Sequence, residues 1–308
     1  MHEDQELDQD SCNDGFCGIG EWKGTAEVYD GQGRFVGNGA DQRHVRTLEE
    51  DGRTRIDLAF IGPLKFAGHY HIAQKEGYRS YEGPINFGTA ESLGPNLVEA
   101  NNYWAVTGLS QRFFLMVTPD GMRQMSLALL SRGDQPIYTI VGEYVRVFGS
   151  QEVPNLTTGT AYDLFGDPNA GRSELLVHRP GIWRGTLSSR DAQLKFIRDD
   201  EFTEKVEQTA DGLSFQQSAG HFHDRSASYS VKTNGWQGWT PAGDVVGSYS
   251  LCGGRALVGS FHYMQDNTRL WRREVVSNDG LCKAVFHTWF KGGARIGVQH
   301  GMLEFEAE

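Results

Sequence analysis

The chain has 308 residues, a net charge of −11 at pH 7, 39 glycines and 9 prolines. Hydrophobic residues make up 38% of it and aromatic residues 11%, which is typical of folded rather than disordered chains. The acidic balance and the scattered lysines and arginines exclude a protein that tracks nucleic-acid phosphates, because such a protein needs a basic surface. No apolar run approaches the ~20 residues of a membrane span, and the first residues lack the pattern of a signal peptide. We therefore expect no membrane span and a cytoplasmic location.

The chain divides by composition into four segments. Residues 1–17 are acidic and are expected to form a flexible tail. Residues 18–148 and 180–308 show a two-residue alternation of apolar and polar side chains, broken by Asx-Gly turns, which predicts β-strands. Residues 149–179 are interrupted by proline and glycine and are expected to be a linker, with a short helix near 160–165.

The alternation places nine strands in the first β segment and ten in the second. In the first they lie near 20–29, 41–49, 53–61, 64–74, 78–87, 98–106, 111–118, 122–131 and 136–147. In the second they lie near 181–188, 192–198, 202–209, 213–223, 227–233, 244–251, 255–264, 269–277, 281–290 and 294–307.

One short phrase opens both β segments. Gly20-Glu-Trp22-Lys-Gly24-Thr25 reappears as Gly181-Ile-Trp183-Arg-Gly185-Thr186. Asp-Gly and Gly landmarks follow in the same order in both segments, which predicts two copies of one domain. Closure into a barrel removes the exposed edges of so many short antiparallel strands. The predicted fold class is therefore all-β, with two tandem antiparallel up-and-down β-barrels.

The G-x-W-x-G phrase on a first strand resembles the opening motif of the lipocalin, or calycin, superfamily. The resemblance implies that Trp22 and Trp183 each plug the closed end of a barrel and that an arginine of the last strand covers the indole. Arg146 is the candidate in the first copy, and Phe305 stands at the aligned position in the second. Tandem barrels of this kind are similar to lipocalin-like cyclases such as Diels–Alderases and to carotenoid hydratase-type proteins. That similarity implies an apolar substrate, bound between or within the barrels, and no organic cofactor.

Histidines are the first candidates for chemistry, because their charge changes near neutral pH. Gly68-His69-Tyr70-His71 resembles Gly220-His221-Phe222-His223. Alternation along a strand predicts that the second pair faces inward and the first pair outward. The second copy also has ionisable groups where the first has none, so we expect it to hold the site. The candidate catalytic residues are His221, His223, His262, Tyr263 and His287.

Aromatic residues supply the candidate walls of an apolar pocket. The substrate-binding candidates are Tyr103, Trp104, Trp236, Trp239, Trp271 and Trp289. Tyr78, Tyr81, Tyr103 and Tyr263 are further candidates for donating a hydrogen bond to a substrate carbonyl.

A metal site is a weaker alternative. His69-x-His71-x₄-Glu76 resembles the first metal-binding motif of cupins, but the second cupin motif is absent. The four cysteines lack zinc-site spacing and are expected to be reduced thiols. Dinucleotide, P-loop and nucleophile-elbow motifs are also missing from the sequence.

Three functions stay open at this point. The first is a cofactor-independent cyclase, isomerase or lyase of secondary metabolism acting on a hydrophobic small molecule. The second is a non-catalytic carrier of a hydrophobic ligand or pigment. The third is a cupin-like metal-dependent enzyme. The sequence does not indicate an oligomeric state.

Overall fold

The strands of the described residues form two closed barrels in tandem. The computed structural model describes residues 18–75, 78–94, 96–148, 176–223, 226–234 and 237–307. In this part of the chain each barrel has ten antiparallel strands, and each strand pairs with its sequence neighbours until the last closes on the first. This topology confirms the predicted fold class. The described residues contain no helix that is long and apolar enough to span a membrane.

The strands of the first barrel are β1 (Gly20–Asp30), β2 (Phe35–Thr47), β3 (Thr54–Ile61), β4 (Lys65–Lys75), β5 (Tyr78–Glu82), β6 (Asn86–Ser92), β7 (Leu97–Trp104), β8 (Leu109–Val117), β9 (Arg123–Arg132) and β10 (Gln135–Val147). Those of the second are β11 (Gly181–Asp191), β12 (Phe196–Thr209), β13 (Gly212–Gln217), β14 (Ala227–Asn234), β15 (Gln237–Trp239), β16 (Val245–Cys252), β17 (Ala256–Tyr263), β18 (Thr268–Val276), β19 (Cys282–Lys291) and β20 (Ala294–Glu306). A 3₁₀ turn at Leu176–His178 precedes β11.

The structure corrects the predicted strands at three places. The strand predicted near 78–87 is divided by a bend at 83–85 into β5 and β6. The two strands predicted near 192–198 and 202–209 are one strand, β12, because the acidic residues between them are paired in the sheet rather than turned. β15 has three residues, too few for alternation to reveal it. The helix predicted near 160–165 lies outside the described residues.

Each barrel has a buried tryptophan at one end. Trp22 and Trp183 are fully buried on the inner faces of β1 and β11. The guanidinium carbon of Arg146 lies 4.9 Å from the centre of the Trp22 ring, as the lipocalin resemblance implies. At Trp183 the aligned Phe305 packs with ring centres 5.0 Å apart, and Lys283 places its Nζ 4.7 Å from the indole. Both indoles therefore have a cation beside them, but from different strands.

The barrels pack against each other through their outer strand faces. Their shared apolar cluster includes Tyr29, Phe114, Met125 and Leu127 of the first barrel and Ala256, Val275, Phe286 and Val298 of the second. Buried ion pairs cross the same interface. Arg255 contacts Glu27 at 2.8 Å and Glu143 at 3.1 Å.

Candidate functional site

A cavity of about 60 Å³ lies inside the first barrel. Its polar wall consists of Asp41, Arg43, Tyr70, Tyr81, Asn102, Gln111, Ser126 and Tyr144. Its apolar wall consists of Leu58, Phe60, Phe66, Trp104, Phe113, Ala128 and Ile140. Because side chains alternate between the two faces of a strand, these residues reach the interior from eight of the ten strands.

The glycine at position 142 makes room for part of this wall. A Cβ atom there would collide with the hydroxyl of Tyr144 and lie 2.8 Å from Oγ of Ser126. Ser126 donates a hydrogen bond of 3.3 Å to the Tyr144 hydroxyl. Only glycine therefore allows this tyrosine to occupy its place in the barrel.

An ion pair lies on the polar side of the cavity. Arg43 donates to Asp41 from Nε at 3.1 and 3.2 Å and from Nη2 at 2.7 Å, a fork-shaped arrangement. The guanidinium carbon stands 4.0 Å from the centre of the Tyr144 ring. Burial would lower the pKa of Arg43, but the Asp41 carboxylate outweighs burial and the pKa rises, so the guanidinium stays charged.

The tyrosines of the cavity are neutral hydrogen-bond donors at pH 7. Burial raises the pKa of Tyr70 and of Tyr144 to about 12, with Arg43 opposing the rise in both. Burial also raises the pKa of Tyr81, and neighbouring Tyr70 adds to that rise. The Tyr70 and Tyr81 rings are stacked with centres 5.5 Å apart.

The aromatic side of the cavity reaches towards solvent. Trp104 donates from Nε1 to Gln111 at 2.7 Å, and its ring centre lies 5.0 Å from that of Phe66. Phe66, Gln111 and Phe113 are only half-buried although they line the cavity. The buried Oδ1 of Asn102 has no hydrogen-bond partner among the described residues. A bound group or a water molecule is needed to satisfy this atom.

The interior of the second barrel is filled by a network of charged side chains. Glu204 accepts hydrogen bonds from Arg272 at 2.7 Å and Lys283 at 2.6 Å. Arg272 also contacts Glu274 at 2.6 Å, and Nε2 of His287 lies 3.2 Å from the same carboxylate. All five side chains are at most 3% exposed. The cations of this network oppose burial and hold the pKa values of Glu204 and Glu274 below their usual range.

The histidine pair of the second barrel lies differently from its prediction. The interpretation that His221 and His223 share the inner face of a strand was wrong, because β13 ends at Gln217. The chain turns back beyond it, and Gly220 donates its N–H to the carbonyl of His223 at 3.0 Å. His223 is buried against Trp289, with ring centres 5.2 Å apart, whereas His221 is half-buried.

The other catalytic candidates are separated from one another. His262 lies on the outer face of β17 and is half-buried, whereas its neighbour Tyr263 points into the second barrel. Tyr263 donates a hydrogen bond of 3.0 Å to Gln217. His287 belongs to the ion network, where burial lowers its pKa against the opposing effect of Glu274. Tyr263 stacks on His223 with ring centres 5.4 Å apart and lies 5.3 Å from the Trp289 ring, so these three candidates are brought together, whereas His262 faces outward.

Among the aromatic candidates, Trp104 lines the cavity of the first barrel. Tyr103, its neighbour on β7, is on the outer face and 37% exposed. Trp239 is exposed, and Trp271 lies between the guanidinium groups of Arg112 and Arg273. Trp289 is buried in the second barrel, where its Nε1 donates to Gln299 at 2.7 Å. Trp236 lies outside the described residues.

His69 and His71 are half-buried on the outer face of β4, as predicted, with ring centres 5.7 Å apart. Glu76 lies outside the described residues. In the part of the chain that the structure describes, no group of three or more His, Cys, Asp or Glu side chains is placed to hold a metal ion.

Sequence reasoning missed Asp41, Arg43 and Tyr144. The available signal was the alternation Gly39-x-Asp41-x-Arg43-x-Val45 on β2, which puts two opposite charges on the same face as a buried valine. Opposite charges two residues apart on an otherwise apolar face indicate a pair that is buried together.

No family model and no curated protein matches the chain. Among solved structures it is similar to a protein of unknown function of the DUF3598 family from Nostoc punctiforme. The two share 16% identity with a TM-score of 0.55, over 94% of this chain and 97% of that one. That likeness shows a shared fold.

Two further solved structures have lower TM-scores. The S-type phycobiliprotein lyase from Guillardia theta is 7% identical with a TM-score of 0.34, over 44% of this chain and 90% of that one. Kievitone hydratase from Nectria haematococca is 6% identical with a TM-score of 0.23, over 96% and 92%. At these values neither likeness carries an argument about function.

Proposed function

We propose that the first barrel binds an apolar small molecule bearing a carbonyl oxygen and converts it without an organic cofactor. One observation carries this proposal: tyrosines that stay neutral and a fixed Arg–Asp pair line a cavity whose other side is aromatic. Apolar pockets with a few convergent polar groups are the usual form of small-molecule sites. The tandem arrangement of the barrels, which is similar to that of lipocalin-like cyclases, favours the same class of ligand.

The size of the cavity decides how the ligand enters. About 60 Å³ accommodates a carbonyl group and a few carbon atoms, since one water occupies about 30 Å³ of liquid. The carbonyl end therefore lies among the tyrosines. The apolar body extends past the half-buried rings of Phe66 and Phe113, which move aside for it.

The proposed chemistry depends on the negative charge that develops on the carbonyl oxygen of the substrate. Donors aimed at a carbonyl oxygen stabilise the negative charge that grows there in enolisation, cyclisation or elimination. Tyr70 and Tyr81 supply such donors without ionising, and Arg43 adds a permanent positive charge next to Tyr144. Holding a flexible substrate in a reactive shape contributes further, by as much as ~7–11 kcal/mol in favourable cases. This combination suits a cyclase, isomerase or lyase.

One observation favours a carrier as the second candidate. The carboxylate in the cavity, Asp41, accepts hydrogen bonds of 2.7 to 3.2 Å from Arg43 and is not poised as a general base. Under this alternative the same groups hold the ligand by its carbonyl and release it unchanged.

Binding is tested with Prodan, a neutral naphthyl ketone whose emission reports hydrogen bonding to its carbonyl. We expect saturable binding to the wild type. Tyr81→Phe removes one donor and should weaken binding two- to tenfold, as one hydrogen bond is worth about 0.5–1.5 kcal/mol. Tyr103→Phe is the matched control, because this tyrosine lies on the outer face of the neighbouring part of the sheet.

Conversion is tested on the natural ligand. Native mass spectrometry of the protein purified from its own host identifies a retained apolar compound, which is then incubated with the wild type and with Tyr81→Phe. A mass or retention change that slows in the variant supports the enzyme, and unchanged compound supports the carrier. Equal Prodan affinity of the wild type and Tyr81→Phe would contradict both.

A further inference from the structure

A larger cavity lies between the two barrels. Its volume is about 600 Å³, within the range of about 300–1,000 Å³ that is common for small-molecule sites. Its walls come from the first barrel (Asp30, Gly31, Gln32, Gly33, Arg112, Leu129, Leu130, Ser131, Pro136, Tyr138 and Thr139) and from the second (Asn234, Gln237, Ser250, Leu251, Cys252 and Val258). We refer to this cavity as the cleft.

Strand β9 separates the cleft from the cavity inside the first barrel. Ala128 lines the barrel cavity, and the next residue, Leu129, lines the cleft. Adjacent residues of a strand point to opposite sides of the sheet, so the two cavities lie on opposite faces of this wall. They are therefore distinct compartments with different chemistry.

Both charged residues at the cleft already have partners within the protein. Asp30 accepts hydrogen bonds from the backbone of Gln32 and from both the backbone and the side chain of Arg34. Arg112 donates to Glu99 at 3.2 Å and lies 4.1 Å above the Trp271 ring. Arg112 shares the Glu99 carboxylate with Arg273. An ionic ligand would have to displace contacts of Asp30 or Arg112 and would lose its hydration on entering.

The remaining wall has an apolar floor and a neutral polar rim. Leu129 and Val258 supply aliphatic surface, and both are only half-buried, so this surface faces the cleft. The hydroxyls of Ser131 and Ser250 border it. These hydroxyls form no hydrogen bond with the described part of the chain, so their donors and acceptors are available to a ligand.

The cysteine in this wall adds apolar surface rather than reactivity. Cys252 is 5% exposed, and burial raises the pKa of its thiol to about 12. The thiolate is the nucleophilic form of cysteine, so a protonated thiol here leaves ligand binding non-covalent.

We propose that the cleft is a second binding site, which takes an uncharged ring compound edged with hydroxyl groups. The ring lies on the aliphatic floor formed by Leu129 and Val258, and the hydroxyls meet the rim. This site does not depend on the function proposed for the barrel interior.

The test uses 4-methylumbelliferyl glucoside, a neutral fluorescent compound with a flat ring system and a hydroxylated sugar. We expect saturable binding to the full chain by fluorescence titration. Leu129→Trp places an indole over part of the aliphatic floor of the cleft and should weaken binding at least tenfold. Gln32→Ala, in the exposed turn between β1 and β2, should weaken it two- to fivefold without disturbing the core. The corresponding glucuronide, which differs by a carboxylate, should bind at least tenfold more weakly.

Ala128→Leu is the matched control on the other side of β9. It adds three carbon atoms to the barrel cavity and should weaken Prodan binding while leaving glucoside binding within twofold. Leu129→Trp should show the reverse pattern. Absence of saturable glucoside binding, or equal affinity in Leu129→Trp and the wild type, overturns the cleft proposal. Those outcomes leave the Prodan result, and with it the barrel function, unaffected.

Discussion

Arg43 and Glu204 occupy the same position in the two barrels. Arg43 pairs in the sheet with Trp22, and Glu204 pairs with Trp183. In the first barrel Arg43 pairs with Asp41 two residues away on its own strand and leaves a cavity beside it. In the second barrel Glu204 reaches across the interior to Arg272 and Lys283. The same fold thus has a cavity in one copy and a buried ion network in the other.

This network predicts a large effect of Glu204→Gln on stability. The substitution keeps the shape of the side chain but leaves Glu274 as the remaining carboxylate beside the buried cations of Arg272 and Lys283. Breaking a buried ion pair on one side costs about 3–5 kcal/mol. We expect a loss of that size in urea unfolding followed by intrinsic fluorescence.

Glu207→Gln on the same strand is the control for this prediction. Glu207 pairs with Lys205 at 2.8 Å, but their side chains are 40% and 31% exposed. Exposed pairs contribute about 0–1 kcal/mol, so this variant should unfold close to the wild type. Equal losses in the two variants would show that the network does not stabilise the second barrel.

The sequence predicted the fold class more completely than it predicted the interior. Alternation, Asx-Gly turns and the repeated phrase were sufficient for two tandem barrels, because these signals act between residues close in sequence. The position of Arg146 over Trp22 also followed from the resemblance. By contrast, Glu204 and Arg272 are 68 residues apart and are buried only because the barrel closes. Charged residues in a strand otherwise indicate a solvent-facing side, so their pattern gave no sign of an ion network.

The candidate site was predictable in its aromatic part only. Trp104 and Tyr81 were chosen as pocket groups because aromatic and hydroxyl side chains are typical of apolar sites, and both line the cavity. The histidines are candidates because their charge changes near neutral pH, but this property does not predict where a side chain lies in the fold. A turn after Gln217 was enough to move His221 and His223 off the expected strand.

A second prediction concerns pH and His178. Its Nε2 lies 2.7 Å from the Tyr249 hydroxyl. Burial, assisted by the charge of Arg272, lowers the pKa of His178 to about 4. The unfolded chain takes up this proton near pH 6.5, so between these values the unfolded state binds more protons than the folded state. The contribution of neutral, buried His178 to the free energy of unfolding is therefore fully present above about pH 6.5 and is lost as the pH falls towards 4.

His178→Gln removes this titration. The stability difference between the wild type and the variant should shrink by about 2–3 kcal/mol between pH ~7.5 and pH ~4.5, since a tenfold change in a proton-binding constant corresponds to about 1.4 kcal/mol. Other groups titrate in both proteins and cancel in the difference. Parallel stability curves across this interval would show that His178 is not buried in its neutral form.

A third prediction concerns the ion pairs between the barrels. Arg255→Met leaves the carboxylates of Glu27 and Glu143 buried without their shared cation. We expect a loss of about 3–5 kcal/mol. We also expect the wild type to unfold in one transition and the variant in two, as the barrels uncouple. Differential scanning calorimetry measures both effects.

Restoring neutrality is the control for the interface. Adding Glu27→Gln and Glu143→Gln to Arg255→Met removes the two carboxylate charges, while amide oxygens still accept from Tyr29 and from the backbone of Asn278. The triple variant should recover a substantial part of the lost stability. A double-mutant cycle that treats the two Glu→Gln changes as one step quantifies the recovery. No recovery would mean that Arg255 acts by packing rather than by charge.

The last prediction compares two hairpin glycines with the same backbone conformation. Gly253, between β16 and β17, has φ of +62°, and Gly292, between β19 and β20, has φ of +57°. Either substitution by alanine places a side chain in the left-handed region, which costs about 1–2 kcal/mol. At Gly253 the new Cβ would also collide with the ring and hydroxyl of Tyr29 from the other barrel, whereas nothing lies within 4 Å of a Cβ at Gly292. Gly253→Ala should therefore lower stability by more than Gly292→Ala and broaden or divide the calorimetric transition, because it separates the barrels. If the two variants unfold alike, the turn at Gly253 does not pack against Tyr29 in solution.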